Sequence, residues 1–363
     1  MSDRPYRVLQ IISSSRTSGA ERHVLNLTDL LRRRGHEVEV LCPEGEWLPG
    51  VLRSHGVRVH EQSMRKAGWF RTLAYTLKTV RRDRVDLVHT HLTRGTYFGY
   101  LAGLLRGVPV VASAHIANRD QIYRRVARGT NRLIAVSNYV RGNLFGQGVP
   151  DRYIDTVYNG TDFDQIEDHD PSELKAELGF EPRSRLVGLI GRVCREKGHL
   201  EMVRAMDEVR KAHPEAHILF VGRVSEEIRE ELGSELESKG LRENVHLLGE
   251  RSDVARVLDS VEFSTMPSHK EAFGIAAIEA MARSRAVVAT RIGGLPEVVR
   301  HGTTGLLVDL RPEEIAEAML FMLDHPQACR EMGRRGRQLV REKFTLDHMV
   351  ERTLMVYQKA AGF

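Results

Sequence analysis

Residues 264–309 read STMPSHKEAFGIAAIEAMARSRAVVATRIGGLPEVVRHGTTGLLVD. The residues up to Met266 are typical of a strand end, and the Ala, Ile and Glu residues from Ala272 through Met281 predict a helix. Glu271 stands where this helix would begin and Glu279 lies two turns further along. At a rise of ~1.5 Å per residue the two carboxylates would be ~12 Å apart along the axis.

The predicted helix start also forms an anion site. Backbone N–H groups at Phe273, Gly274 and Ile275 would lack helical acceptors, and Gly274 lets another molecule approach the main chain. A ~12 Å separation is about the reach from a sugar ring across a diphosphate to a ribose. The alternative is that Glu271 only favours the helix dipole and Glu279 is a solvated surface residue.

Three segments follow the two glutamates. Ala286–Thr290 predicts a buried strand, Gly293–Glu297 a Gly-Gly turn before a new helix, and His301–Gly305 the approach to another strand. With E-x7-E they resemble the C-terminal nucleotide-sugar module of the retaining family-4 glycosyltransferases. One departure is Ser284–Ala286, where that family usually has Gly, another residue and Pro.

The second half opens with a predicted strand, Leu186–Ile190, and the loop G-R-x4-K-G from Gly191 to Gly198. Neither a P-loop nor a GxGxxG turn occurs, which argues against an NTPase and a nicotinamide enzyme. The resemblance implies that Arg192 and Lys197 bind the donor diphosphate. A guanidinium group can donate hydrogen bonds to two phosphate oxygens at once, and an ammonium group supplies a compact charge. Arg223 stands where the family commonly carries a G-x-G-P turn, so the resemblance assigns it no donor contact.

The first half predicts a doubly wound parallel sheet. A strand over Arg7–Ile12 leads through a polar loop, Ser13–Gly19, into an amphipathic helix over Ala20–Arg34. Gly19 is either a simple loop hinge or, as the resemblance implies, part of a loop over the donor phosphates. Ligands in such sheets bind beyond the carboxyl ends of the strands. The further predicted strands are Val38–Cys42, Val57–His60, Asp86–His89, Val108–Ser113, Leu133–Val136 and Ile154–Val157.

His115 follows the predicted strand VPVVASA, where it is either a polar cap or, as the resemblance implies, the active-site histidine that contacts the donor sugar. His89 and His91 form H-T-H, but no third metal ligand of suitable spacing is evident. Two D-x-D strings, Asp162/Asp164 and Asp168/Asp170, lie in an acid-rich linker rather than after a buried strand. No metal site is predicted.

A length of 363 residues suits two domains. The segment Tyr158–Asp162 matches the linker of the resembled family. That resemblance implies the α/β GT-B fold, in which two Rossmann-like doubly wound domains face a central cleft. The domains would be 1–160, with acceptor contacts, and 161–344, with the nucleotide sugar, and a C-terminal helix, 345–361, would cross back to the first.

Charge divides the chain unevenly. Residues 1–165 hold 25 Lys and Arg against 15 Asp and Glu, while the remainder holds 29 against 34. The basic half should face something anionic. Over Met64–Arg84 a helix with Trp69, Leu73, Leu77 and Val80 on one stripe is either core-facing with a solvated basic side or an anionic-lipid patch. The lipid alternative would add Arg119, Arg124, Arg125, Arg128 and Arg132.

Composition limits the expected partners and the expected location of the protein. Aromatic residues are few and not interleaved with cations, so nucleic acid is not an expected partner. No long apolar run or signal region occurs, and Cys42, Cys194 and Cys329 are scattered without metal spacing. We expect a cytoplasmic protein, or one peripheral on the inner face of the membrane.

The resemblance implies metal-free transfer of a sugar, with retention, from a UDP- or GDP-sugar to a hydroxyl of a glycan or lipid-linked acceptor. Glu271 would bind sugar hydroxyls and Glu279 the ribose, and no further cofactor is expected. Cell-envelope polysaccharide, lipopolysaccharide or glycolipid synthesis is the expected setting. The alternatives are a nucleotide-sugar epimerase and a non-catalytic nucleotide-sugar or lipid-binding assembly protein.

Overall fold

The computed structural model describes residues 4–16, 18–45, 47–162 and 169–362. The chain divides into two compact units. The first comprises Met1–Asn159 and Leu346–Phe363, and the second Gly160–Thr345. Each is an α/β unit built on one parallel sheet.

The first unit contains a seven-stranded parallel sheet in the order β3-β2-β1-β4-β5-β6-β7. Strands β4 and β5 are buried along their whole length, as expected when helices cover both faces of a parallel sheet. The strand order reverses between β1 and β4, so a topological switch point lies there. The strands are β1 (Arg7–Ile12), β2 (Glu37–Cys42), β3 (Arg58–Glu61), β4 (Leu87–His91), β5 (Val110–Ala114), β6 (Arg132–Ala135) and β7 (Ile154–Thr156).

The helices of this unit include the last helix of the chain, which packs against β4, β5, β6 and the first helix. Tyr357 and Met349 of that helix join Leu27, Leu31 and Val111 in one buried cluster. The helices are α1 (Gly19–Arg33), α2 (Trp47–Ser54), α3 (Trp69–Arg82), α4 (Thr93–Arg106), α5 (Ile122–Val126), α6 (Asn138–Gly146) and, at the end of the chain, α15 (Leu346–Ala361).

Helix α3 differs from its prediction. It begins at Trp69 rather than Met64, and its buried residues are Thr72, Thr76, Thr79 and Val80, whereas Leu73 is only partly buried. The hydroxyl of Thr72 donates to the Ser63 carbonyl at 2.6 Å, and that of Thr76 donates to the Thr72 carbonyl at 2.8 Å. Threonine can therefore be buried because its hydroxyl is satisfied locally.

The second unit contains a six-stranded parallel sheet in the order β10-β9-β8-β11-β12-β13. Its order reverses between β8 and β11, which places a second topological switch point there. The strands are β8 (Arg185–Ile190), β9 (Ala216–Val221), β10 (Val245–Gly249), β11 (Phe263–Met266), β12 (Ala286–Thr290) and β13 (Gly305–Val308). The helices are α7 (Pro171–Glu177), α8 (His199–Ala212), α9 (Glu226–Ser238), α10 (Val254–Ser260), α11 (Ile275–Ala282), α12 (Leu295–Val298), α13 (Pro312–Asp324) and α14 (Pro326–Lys343).

The turn between α11 and β12 takes a left-handed conformation without glycine. Ser284 has a φ of 58°, at the position where the resembled family usually has Gly. Helix α14 packs closely here, because a Cβ on Gly333 would lie 2.0 Å from the Ser284 carbonyl oxygen. Among the helices of the described residues, none combines the length and apolar character that crossing a membrane requires.

Candidate active site

The loops that follow β8 and β11 touch each other through their backbones. Gly198 has a φ of +73°, and a Cβ there would lie 1.7 Å from the carbonyl oxygen of Pro267. The amide of His269 donates to the carbonyl of Glu196 at 2.9 Å. Glycine at 198 therefore allows a left-handed turn and a backbone contact that no larger residue permits.

This contact brings Lys197 and Glu271 together. The ammonium of Lys197 donates to Oε2 of Glu271 at 2.6 Å, and the two side chains are 29% and 14% exposed. Two predicted site residues that are 74 positions apart thus form an ion pair at the switch point between β8 and β11. Arg192 is not part of this pair. Its guanidinium lies 3.6 Å from Glu196, and more than half of the side chain is exposed.

The Gly-Gly turn holds the backbone of Glu271. The amide of Gly294 donates to the Glu271 carbonyl at 3.0 Å. Gly293 has a φ of +55°, and a Cβ there would lie 1.9 Å from the same oxygen. The G-G-x-P-E segment therefore supports the carboxylate residue from behind, through contacts that require glycine.

The start of α11 corrects one prediction. The helix begins at Ile275 rather than Ala272, after Gly274 in a left-handed conformation with a φ of 112°. Glu271 is therefore not on the helix, and the ~12 Å estimate based on helical rise does not apply. Glu279 is on α11 and partly buried. The amides of Ala277 and Ile278 donate to the Gly274 carbonyl at 3.0 and 3.3 Å, so the amides of Ile275 and Ala276 are the ones that begin α11 without an acceptor inside the helix.

Phe273 contributes its side chain to packing. It is 2% exposed and packs edge to face against Phe344, with ring centroids 5.6 Å apart. Only the backbone of Phe273 is therefore a candidate for contact with a ligand. This ring also anchors the segment between Glu271 and α11 to the end of α14.

The remaining candidates belong to other segments of the chain or lie outside the described residues. Gly19 is the first residue of α1, the helix that follows β1, rather than a loop residue. Arg223 is exposed, and its carbonyl accepts a bond from the amide of Val193 at 3.0 Å. Of the D-x-D strings, Asp164 and Asp168 lie outside the described residues. Asp170 accepts from the amide of Ser172 at 2.8 Å and caps α7.

In the first unit His115 belongs to a group of imidazoles. Nδ1 of His91 and Nε2 of His115 are 3.0 Å apart, and Nε2 of His91 lies 2.9 Å from Oε1 of Gln10. His23 on α1 approaches His115 with ring centroids 4.8 Å apart. His89 bonds to the Tyr357 hydroxyl at 2.7 Å and to the Ser113 hydroxyl at 2.8 Å.

Burial keeps these rings neutral. It lowers the pKa of His23 to about 4, and burial together with the neighbouring imidazoles lowers the pKa of His91 and His115 well below the usual value. The side chain of Asn159 partly opposes the lowering of the His23 pKa.

Gln10 and His23 were not predicted from the sequence, and His91 was predicted only as a weak metal ligand. The sequence offered no third metal ligand for His89 and His91, yet the fold places one nitrogen each of His23, His91 and His115, without His89, within 4.8 Å of one another. That spacing would also suit a shared metal ion. The available signal was position: β1 and β4 flank the switch point, and side chains at their ends must meet.

Both Rossmann-like units, each with its switch point, define the GT-B class of glycosyltransferase. The Anabaena protein Alr3699/HepE, solved in complex with UDP, superposes with a TM-score of 0.88 over 97% of this chain and 99% of its own, at 20% identity. That similarity concerns the fold.

Sequence comparison supplies the family. Residues 17–165 match the family described as Glycosyltransferase Family 4, and residues 170–339 match the family described as Glycosyl transferases group 1. The D-inositol 3-phosphate glycosyltransferase of Segniliparus rotundus is 30% identical over 88% of this chain and 79% of the relative. The alpha-maltose-1-phosphate synthase of Mycolicibacterium smegmatis is 29% identical over 95% and 96%. The chain belongs to the group 1, family-4 glycosyltransferases, which act on nucleotide sugars.

Proposed function

We propose that this protein transfers a sugar from a nucleoside-diphosphate sugar to an acceptor hydroxyl, with retention of anomeric configuration and without a metal. The observation that carries the proposal is the Lys197–Glu271 pair at the β8–β11 switch point, four residues before α11 begins. A cation, an acceptor carboxylate and a helix start in one place suit a ligand that has both phosphate and hydroxyl groups.

The chemistry follows from where charge develops. As the glycosidic bond breaks, negative charge grows on the departing diphosphate, and Lys197, Arg192 and the first amides of α11, near Gly274, would stabilise it. Glu271 would accept hydrogen bonds from sugar hydroxyls and Glu279 from the ribose. The departing phosphate would take the acceptor proton on the same face of the sugar, and His115 would contact the donor sugar.

The ion pair prepares Lys197 for this role. An ammonium has three N–H donors, so Lys197 can keep one bond to Glu271 and direct others at phosphate oxygens. The Gly198 turn and the Gly293–Gly294 turn fix both partners by their backbones, so little reorganisation is needed when the donor binds. Arg192, more exposed, would close onto the diphosphate only once the donor is present.

The remaining partners are proposed from charge and from the relatives. UDP in the Anabaena complex supports a UDP-sugar, with a GDP-sugar as the second choice. The two relatives' names each include a phosphorylated compound, and residues 1–165 are basic. We propose a glycan or lipid-linked acceptor of the cell envelope, and action in the cytoplasm or on the inner membrane face. Gly19, at the start of α1, would contribute an amide to the donor phosphates.

The test is turnover of UDP-, GDP- and ADP-sugars with and without hydroxyl acceptors, with NMR assignment of the product anomer and a chelator arm. We expect retention and full activity with chelator. Glu271→Ala should lose at least ~10²-fold in kcat/KM, as removal of a single preorganised group does. Glu208→Ala, an exposed glutamate of the same unit paired with Lys211, is the matched control. An inverted product, loss with chelator, or isomerised donor without acceptor would overturn the proposal.

A further inference from the structure

The hydrogen bonds around His91 run in one direction only. On α1 the hydroxyl of Thr28 donates to the carbonyl of Val24 at 2.7 Å. Its oxygen must then accept from Nε2 of Gln10, 2.9 Å away, because the hydroxyl proton is already committed. This fixes the orientation of the Gln10 amide, with Oε1 directed at Nε2 of His91.

The direction continues through two rings. Oε1 of Gln10 can only accept, so Nε2 of His91 carries a proton. Because burial keeps His91 neutral, its Nδ1 is bare and must accept from Nε2–H of His115 at 3.0 Å. His115 is neutral too, so its own Nδ1 is left without a proton. Among the described residues that Nδ1 has no hydrogen-bond partner, and His115 is only partly buried.

The backbone holds His91 in place. Gln10, Thr28 and His91 are fully buried. The next residue, Leu92, has a φ of 62° and a ψ of 154°, a backbone conformation that residues other than glycine rarely adopt. The strand thus turns abruptly into α4, and a Cβ on Gly95 would lie 3.0 Å from the Ile11 carbonyl of β1.

We propose that Gln10 and His91 are positioning residues: their one-directional chain holds His115 as the Nε2–H tautomer, so that Nδ1 accepts a hydrogen bond from one hydroxyl of the donor sugar. The proposal rests on the proposed function for its ligand but not for its tautomer. In this tautomer His115 would select a neutral hydroxyl group, because an unprotonated ring nitrogen accepts a hydrogen bond from a hydroxyl and has no proton to donate to a phosphate oxygen.

The tautomer itself is tested without activity. NMR of protein labelled with ¹⁵N in histidine should show His115 with a protonated Nε2 and a bare Nδ1 at pH 7, with zinc absent and present. A protonated Nδ1, or a His115 signal that moves with stoichiometric zinc binding by His23, His91 and His115, would overturn the chain.

The function of the chain is tested with donors that each lack one hydroxyl. Gln10→Met keeps the volume but removes the acceptor, and should lower kcat/KM by ~10-fold for the complete donor, the value of one hydrogen bond. For the one donor that lacks the recognised hydroxyl, the same substitution should have almost no effect. A loss of equal size for every donor would show a merely structural role and would overturn the proposal. Gln327→Met on the exposed start of α14 is the control.

A carboxylate in place of the amide should reverse the chain. In Gln10→Glu the new charge would favour protonated His91, whose Nδ1 would then donate to His115. The groups that face His91 are His89 on β4, His115 after β5 and His23 from α1, while Tyr357 of α15 faces His89. None of these four groups carries a negative charge, so the new carboxylate alone would raise the pKa of His91, and the acidic limb of kcat should move to higher pH only in this variant.

The outcomes separate the two proposals. If the wild-type protein turns over no nucleotide sugar, the proposed function fails, while the NMR result still decides the tautomer. If turnover is normal but neither the deoxy-donor pattern nor the acidic limb responds to Gln10, the positioning role alone is wrong. Should Gln10→Glu not fold, Gln10→Met and the wild-type spectrum still decide.

Discussion

The two units place different chemistry at equivalent points of the same fold. At the β8–β11 switch point the second unit carries an ion pair, Lys197 and Glu271, fixed by backbone contacts at glycines. At the β1–β4 switch point the first unit carries two neutral imidazoles, His91 and His115, bonded to each other, with Gln10 bonded to His91. A partly exposed charge can attract phosphate, whereas a neutral ring, such as that of the partly buried His115, can only recognise hydrogen-bonding groups. The second unit therefore carries groups suited to an anion, and the first unit carries groups suited to a neutral hydrogen-bonding partner.

The largest effect should come from the ion pair. Lys197→Ala should lower kcat by ~10²- to 10³-fold, because it removes preorganised charge stabilisation of the leaving group. Arg192→Ala should cost less, since Arg192 is mostly exposed and held only loosely by Glu196. Steady-state kinetics with a saturating nucleotide sugar measure both, and Lys211→Ala, an exposed lysine paired with Glu208, is the control. A greater loss at Arg192 than at Lys197 would reverse this ranking.

The local geometry around Lys197 and Glu271 was largely predictable, because the two segments that build it, 191–198 and 264–309, rely on glycine. In the Gly-Gly turn and the Lys-Gly loop the residue types themselves indicate the backbone conformation, and the spacing of the two glutamates is visible in the sequence. The start of α11 was misplaced because the left-handed conformation of Gly274 depends on its fit against Leu295, where a Cβ would lie 2.8 Å from Cδ2. No local pattern reveals that contact.

The arrangement of polar residues in the first unit could be predicted only in part from the sequence. His115 was found through family resemblance, but Gln10 and His23 come from other strands and helices, and their roles depend on which proton each ring carries. The buried face of α3 was missed for a related reason: threonines become core residues only when a neighbouring carbonyl, such as that of Ser63, satisfies them. Hydrophobic periodicity cannot detect such pairing.

The backbone contact that joins the two second-unit loops can be broken directly. Gly198→Ala should lower the free energy of unfolding by at least ~3 kcal/mol, because it combines a left-handed conformation with a Cβ 1.7 Å from the Pro267 oxygen. Gly179→Ala is the matched control: its φ is +74°, and nothing lies within 4 Å of the added Cβ. We expect only ~1 kcal/mol there. Urea denaturation gives both values, and equal losses would show that the loop contact contributes no stability.

Acid should affect the first unit before the second. For His23 the folded pKa of about 4 lies below the ordinary 6.5, so the unfolded chain binds the proton first as pH falls. Its contribution to stability is complete above pH 6.5 and is lost as pH falls to about 4, in total about 3 kcal/mol. His89, His91 and His115 shift in the same direction, whereas in the second unit only His199 and His246, among the described residues, do so.

Hydrogen exchange by mass spectrometry at pH 7 and pH 5, corrected for intrinsic rates, should therefore show protection lost in β4 before β8. His23→Gln should reduce the difference, and His55→Gln, at an exposed histidine beside Asp29, should not. Earlier loss in β8 would contradict the assignment of the acid-sensitive groups to the first unit.

The smallest effect concerns the outer surface of the first unit. Helices α3 and α4 pack together, and they expose Phe70, Leu104 and Leu105 at 83%, 56% and 60% beside several cations. If this surface meets anionic lipid, Phe70→Ser should weaken binding to vesicles containing anionic lipid by ~5-fold, and leave turnover with a water-soluble acceptor unchanged. Phe145→Ser on α6, also exposed, is the matched control. Flotation measures the binding. Equal binding by both variants would contradict a lipid contact at this surface, and the acceptor would then be the remaining anionic partner for the basic half.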